Sequence, residues 1–162
     1  MKHIIWISLF FSALLVHANE VERLQKGCEA NDMKSCTQLG EMYELGDGGL
    51  TQTYPKALSF YSKACEGGNA DGCTNLGNMY EHGKGIKEDA DAAEKLYEKG
   101  CDDGSGTGCY KLGVMYYERL SPNQSTEVVR SLFREACALG EVMGCVNHRI
   151  LQKSYRHFDD MQ

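Results

Sequence analysis

The chemistry most visible in this chain is that of sulfur. Its eight cysteines fall into four pairs, Cys28/Cys36, Cys65/Cys73, Cys101/Cys109 and Cys137/Cys145, each spaced C-x7-C. Cysteine can ligate metal, act as a redox couple or close a structural disulfide, and spacing separates these roles. Zinc ligands typically stand two to four residues apart, and a dithiol redox couple needs C-x-x-C. Neither spacing occurs here. Along one continuous helix the two Cα atoms of a pair would lie about 12 Å apart, against the roughly 4.4–6.8 Å that a disulfide needs. A pair can close only if the chain turns back between its members. Turn-forming residues stand in that place: Gly67-Gly68-Asn69, Asp102 to Gly106, Gly140-Glu141 and the weaker breaker Ala30-Asn31-Asp32. The expected bonds are therefore Cys28–Cys36, Cys65–Cys73, Cys101–Cys109 and Cys137–Cys145, with no metal and no cofactor.

Positioning four such staples requires a repeated frame. The first cysteine of each pair recurs after 37, 36 and 36 residues, a period typical of stacked repeats. After the second cysteine come Leu39-Gly40-Glu41-Met42-Tyr43, Leu76-Gly77-Asn78-Met79-Tyr80 and Leu112-Gly113-Val114-Met115-Tyr116. Cysteine, Leu at +3 and Tyr at +7 form one face of a helix, here helix A. The glycine beside each Leu costs about 1 kcal/mol of helix propensity relative to Ala, which points to close approach by a neighbouring helix. A second helix, B, runs up to the first cysteine of a pair. Its stripe is Ala57, Phe60, Tyr61 and Ala64, then Ala93, Leu96, Tyr97 and Gly100, then Val129, Leu132, Phe133 and Ala136. The A-to-B turns are Gly46 to Gly49, Gly83-Lys84-Gly85 and Ser121-Pro122-Asn123. The extra residue in the first explains the single 37.

The ends depart from the pattern. Met1-Lys2-His3, the apolar run Ile4 to Val16 and Val16-His17-Ala18 read as a cleaved export signal over 1–18. The run of 13 residues is short for a bilayer span, which needs about 20. Residues 19–31 are expected to form a capping helix, degraded at Glu20, Arg23, Leu24 and Gly27. Repeats then fill 32–68, 69–104 and 105–140, and 141–162 form a C-terminal cap and tail. Export permits disulfides, and the expected location is periplasmic or secreted. Removing the signal takes Lys2 with it and moves the net charge from −6 to −7. That disfavours nucleic acid or an anionic membrane as partner, and the mature chain is expected to be a monomer free of membrane.

Leu-Gly-x-Met-Tyr, Gly-x-Gly, the Ala-x-x-(Leu/Phe)-(Tyr/Phe) helix and the 36-residue period resemble the Sel-one-like repeat, a longer relative of the tetratricopeptide repeat. With C-x7-C in every unit and the signal segment, the chain is similar to the Helicobacter cysteine-rich protein family. The resemblance implies an all-α, right-handed α/α solenoid of helix pairs that serves as an interaction scaffold for a peptide or protein. It also implies a second reading, a slow β-lactamase or penicillin-binding protein taking a β-lactam or peptidoglycan-related ligand. The serine signatures S-x-x-K, S-D-N and K-T-G are missing, and His82, His148 and His157 have no zinc-ligand spacing. The catalytic residues of such an enzyme are not identified by the sequence.

By analogy with the tetratricopeptide repeat, helix A lines a concave face. Its groove positions are Lys34, Thr37, Glu41 and Glu44, then Asp71, Thr74, Asn78 and Glu81, then Thr107, Tyr110, Val114 and Tyr117, then Met143, Val146 and Ile150. Thr37, Thr74 and Asn78 are the expected hydrogen-bonding groups, and Tyr110 and Tyr117 the expected aromatic anchors. Val114, Met143, Val146 and Ile150 either continue the groove or lie under the C-terminal tail. Tyr43, Tyr80 and Tyr116 are assigned to packing, and His82 to a solvated helix end.

Overall fold

The structure, a computed structural model, describes residues 19–119 and 126–159, with side chains as far as 153. The expected signal segment, the third A-to-B turn at 121–124 and the last three residues lie outside the described residues. Every regular element among the described residues is a helix. The first, α1, covers 19–29. It is followed by α2 (Met33–Leu45), α3 (Tyr54–Glu66), α4 (Ala70–Glu81), α5 (Ala90–Asp102), α6 (Gly106–Arg119), α7 (Glu127–Ala138) and α8 (Val142–Asp159). Helices α2, α4, α6 and α8 are the A helices, and α1, α3, α5 and α7 the B helices. From α2 onward each packs on the next, and successive A helices also touch (α2 on α4, α4 on α6, α6 on α8), more closely than α3, α5 and α7 touch one another. The A helices thus form the inner, concave layer of an α/α solenoid.

The turn inside each cysteine pair is built the same way four times. The residue three places after the first cysteine adopts a left-handed backbone: Asn31 (φ 64°), Gly68 (83°), Gly104 (99°) and Gly140 (92°). Asparagine tolerates that conformation better than most side chains do, so the weaker-looking first turn closes as the others do. The next residue caps helix A through its side chain. Asp32 accepts from the Lys34 N–H (3.2 Å), Asn69 from Gly72 (2.8 Å), Ser105 from Gly108 (3.3 Å) and Glu141 from Met143 (3.2 Å). With the chain so reversed, the paired Cα atoms come to 4.7, 4.4, 4.5 and 4.4 Å, and all four expected disulfides are bonded. Among the described residues no cysteine is free. The alanine just before the next cysteine, in the last turn of the following helix B, seals the bridge: Ala64 lies over Cys28–Cys36, and Ala136 over Cys101–Cys109.

The glycine of helix A does what its cost implied. A Cβ on Gly40 would stand 2.6 Å from the Tyr61 ring, one on Gly77 2.9 Å from Tyr97, and one on Gly113 2.8 Å from Phe133. Each helix-B aromatic therefore lies flat on the backbone of its helix A. Tyr61 and Tyr97 are wholly buried. Gly40→Ala is expected to destabilise the protein even though Ala favours a helix by about 1 kcal/mol. The buried Tyr61 ring has no room to retreat, and overpacking of this kind costs about 1–3 kcal/mol. A lower denaturant midpoint at unchanged slope is the expected readout.

At the N-terminal end, Val21 and Leu24 of α1 are buried, and the outward side carries the pairs Arg23–Glu20 and Lys26–Glu22. At the other end, His148, Arg149 and Gln152 occupy the places of Leu39, Gly40 and Tyr43. Helix α8 is therefore polar where the other A helices receive their helix B. It continues as one helix to Asp159, so the described part of the tail runs along its axis instead of folding over it. Met143, Val146 and Ile150 accordingly remain 46%, 40% and 58% exposed. Among the described residues no helix is long and apolar enough to cross a membrane.

Candidate functional site in the third inter-repeat groove

Between successive A helices the concave face has a groove floored by the helix-B aromatic. In the first, the Tyr61 hydroxyl donates to Glu44 Oε2 (2.8 Å), Lys84 Nζ donates to Glu44 Oε1 (2.8 Å) and Asn75 Nδ2 to Glu41 Oε1 (3.1 Å). In the second, Tyr97 donates to Glu81 Oε2 (2.7 Å), and Lys111 Nζ reaches the same oxygen (3.1 Å). Both grooves are thus filled by a satisfied polar network. Burial first, then the hydrogen bond to a carboxylate, pushes the Tyr61 and Tyr97 hydroxyls far above their ordinary pKa. They are held protonated, the reverse of an activated nucleophile.

Burial alone would raise the Glu81 carboxyl, but the bonds from Tyr97 and Lys111 and the charges of Lys111 and His82 outweigh it and hold the pKa below 4.5. A carboxyl lowered on folding contributes stability above its unfolded pKa, and that contribution is lost as pH falls through the folded value. Glu81→Gln is expected to cost about 1 kcal/mol at neutral pH. It should also flatten the decline in stability below about pH 4.5, measured by denaturant titrations across that range.

The third groove differs at the two positions that the first two share. Phe133 stands where Tyr61 and Tyr97 stand, and Tyr117 where Glu44 and Glu81 stand, while Asn147 corresponds to Asn75 of the first groove and Lys111 of the second. Hydroxyl and acid are replaced together, so no buried polar group is stranded, and the network gives way to an open apolar pocket. It has a volume of about 280 Å³ and is lined by Tyr110, Val114, Tyr117 and Glu118 of α6, Phe133 of α7, and Asn147, Ile150 and Leu151 of α8. Tyr110 packs on Phe133 with ring centroids 5.9 Å apart. Tyr117 is 53% exposed. A second concave hollow, of about 310 Å³, lies between α1 and α2 and is lined by Leu24, Met42 and Leu45 among the polar groups Glu20, Gln38, Glu41 and Asp47.

The expected groove residues divide on these facts. Tyr110 and Tyr117 come together in the wall of one pocket. Thr37 and Thr74 do not face the groove and are corrected here, each being only 4% exposed. The Thr37 hydroxyl lies 3.1 Å from the Met33 carbonyl and 2.9 Å from Asn69 Oδ1, and Thr74 donates to the Ala70 carbonyl (3.0 Å). Both hydroxyls are taken up by a carbonyl one turn back in their own helix, and Thr37 also meets Asn69 at the start of the next A helix. Asn78 is half-buried and hydrogen-bonds the Tyr97 hydroxyl. The sequence reading left out Glu118, Phe133, Asn147 and Leu151 as groove residues. Comparison of the third unit with the first two, where Tyr becomes Phe as Glu becomes Tyr, carried the signal.

Of the packing assignments, Tyr43 is buried, and Tyr80 and Tyr116 pack against the core. His82 is the exposed cap of α4, its Nδ1 3.0 Å from the Asn78 carbonyl. Cys101, Cys109 and Glu135 lie close enough to hold a metal ion, but both sulfurs are bonded to each other and offer no thiolate. The four bridges call for an oxidising compartment.

Known proteins share this design. Residues 34–69, 70–105 and 107–141 each match the Sel1 repeat. No curated protein is matched by the sequence. Among solved structures, a Sel1 repeat protein from Oxalobacter formigenes aligns at 24% identity over 79% of this chain and 96% of its own, with a TM-score of 0.67. Helicobacter pylori cysteine rich protein B aligns at 29% identity over 80% and 92%, with a TM-score of 0.62. A protective antigen of uropathogenic Escherichia coli gives 22% identity over 81% of this chain but 28% of its own, with a TM-score of 0.69. With three consecutive units matched across most of the helical array, the chain belongs to the Sel1 repeat family, as a disulfide-stapled scaffold.

Proposed function

We propose that the protein is an exported scaffold, periplasmic or secreted, that binds an extended segment of a peptide or protein partner along its concave face. The observation that carries this reading is the third groove. A scaffold that only had to hold itself together would repeat the Tyr–Glu pair a third time, whereas here it is exchanged for an open apolar pocket with a half-exposed tyrosine on its wall. Buried aromatic and aliphatic anchors in such pockets dominate binding energy at protein interfaces. Four bridges fit an exported protein, since disulfides persist outside the reducing cytosol.

An arrayed library of short peptides probed with the oxidised protein tests the reading. Binding to a sequence-related subset is the expected result, and loss of that binding on narrowing the pocket with Val114→Trp, at unchanged helical signal, supports the site. Uniform binding, or binding indifferent to Val114→Trp, overturns it.

A further inference from the structure

We propose that the third-groove pocket selects a large apolar side chain directly flanked by lysine or arginine, with Asn147 reading the backbone between them. This rests on the concave-face reading above and adds the partner's chemistry. Three observations converge. The pocket is apolar and, at about 280 Å³, lies below the 300–1,000 Å³ typical of small-molecule sites. That suits one large side chain rather than a cofactor.

The second observation is charge. Glu44 and Glu81 of the first two grooves are neutralised by Lys84 and Lys111. Glu118, at the rim of the third, is exposed and has no ion-pair partner among the described residues. In a chain of net charge −6, Glu118 is thus a carboxylate uncompensated among the described residues beside the apolar pocket, which attracts a cation and repels an acid.

The third is an amide freed by the same exchange. Asn75 spends its Nδ2 on Glu41 of the preceding A helix (3.1 Å). Asn147 holds the equivalent place in α8, and the residue corresponding to Glu41 is Val114, which cannot accept a hydrogen bond. The Asn147 amide therefore faces the pocket with both a donor and an acceptor for a peptide group. Apolar pocket, carboxylate and free amide lie on one short stretch of the concave face.

The test is fluorescence anisotropy of labelled short peptides with the oxidised, full chain. One peptide carries Phe followed by Lys, and its variants carry Phe-Gln, Phe-Glu and Ala-Lys. The Phe-Lys peptide should bind tightest, Phe-Gln about threefold weaker and with a shallower salt dependence, and Ala-Lys about thirtyfold weaker. Glu118→Lys should invert the order of Phe-Lys and Phe-Glu with an unchanged melting curve. Equal binding of Phe-Lys, Phe-Gln and Phe-Glu, unaffected by Glu118→Lys, would overturn the charge selection while leaving an apolar groove site standing. Failure of every Phe peptide to bind would overturn both.

Discussion

Complete reduction of the four bridges should leave the chain largely unfolded at 25 °C. Closing a loop as short as C-x7-C is worth about 2.5 kcal/mol in the chain-entropy account, so four approach about 10 kcal/mol. A domain of this size is typically stable by only about 5–15 kcal/mol. Each helix pair touches only its neighbours, which leaves little long-range packing to compensate. The bridges should not open together. Cys28, Cys36, Cys65, Cys73, Cys101 and Cys109 are at most 5% exposed, whereas Cys137 and Cys145 are only half-buried at the open end of the stack. Graded reductant with alkylation and mass mapping should label Cys137 and Cys145 first, with the helical signal nearly intact. Collapse should follow when the inner pairs open. Removing one inner pair as Cys101→Ala with Cys109→Ala should cost about 2.5 kcal/mol.

Tyr117→Ala is expected to weaken partner binding by about thirtyfold, the effect of removing an anchor worth about 2 kcal/mol. Its melting curve should match the wild type, because the ring is 53% exposed and its place is held by an acid in the other units. Tyr110 lies against Phe133, so Tyr110→Ala should lose binding and stability together. Lys95→Ala, on the exposed side of α5, should change neither. The contrast between the two tyrosines separates a binding wall from a packing wall.

Most of the frame was legible because it is written four times. Cysteine spacing, helix stripes and turn glycines are local signals, and helix rise alone dictates that C-x7-C closes across a reversal. The glycine at Gly40, Gly77 and Gly113 was readable as close approach, and the ring it receives follows from the B stripe. The groove was less legible. Thr37 and Thr74 were placed by helical counting, which gives the face of a helix but not how near the next helix comes. Thr74 lies between two glycines of other helices: a Cβ on Gly100 or Gly108 would come within 2.5 or 2.9 Å of its Oγ1. Such a contact joins three elements and leaves no trace in any one of them. The pocket escaped for a related reason. Phe133 and Tyr117 each look ordinary in their own helix, and only their joint departure from the Tyr–Glu pair marks the site.

The central claim, that the concave side of α6 and α8 is the partner surface, is tested most directly by titrating the isotopically labelled, oxidised protein with the tightest peptide from the array and following its amide resonances. The perturbed amides should cluster around Val114, Tyr117, Asn147 and Ile150, leaving the outer faces of α3 and α5 unmoved. Perturbations centred on those outer faces, or spread evenly along the solenoid, would contradict the account.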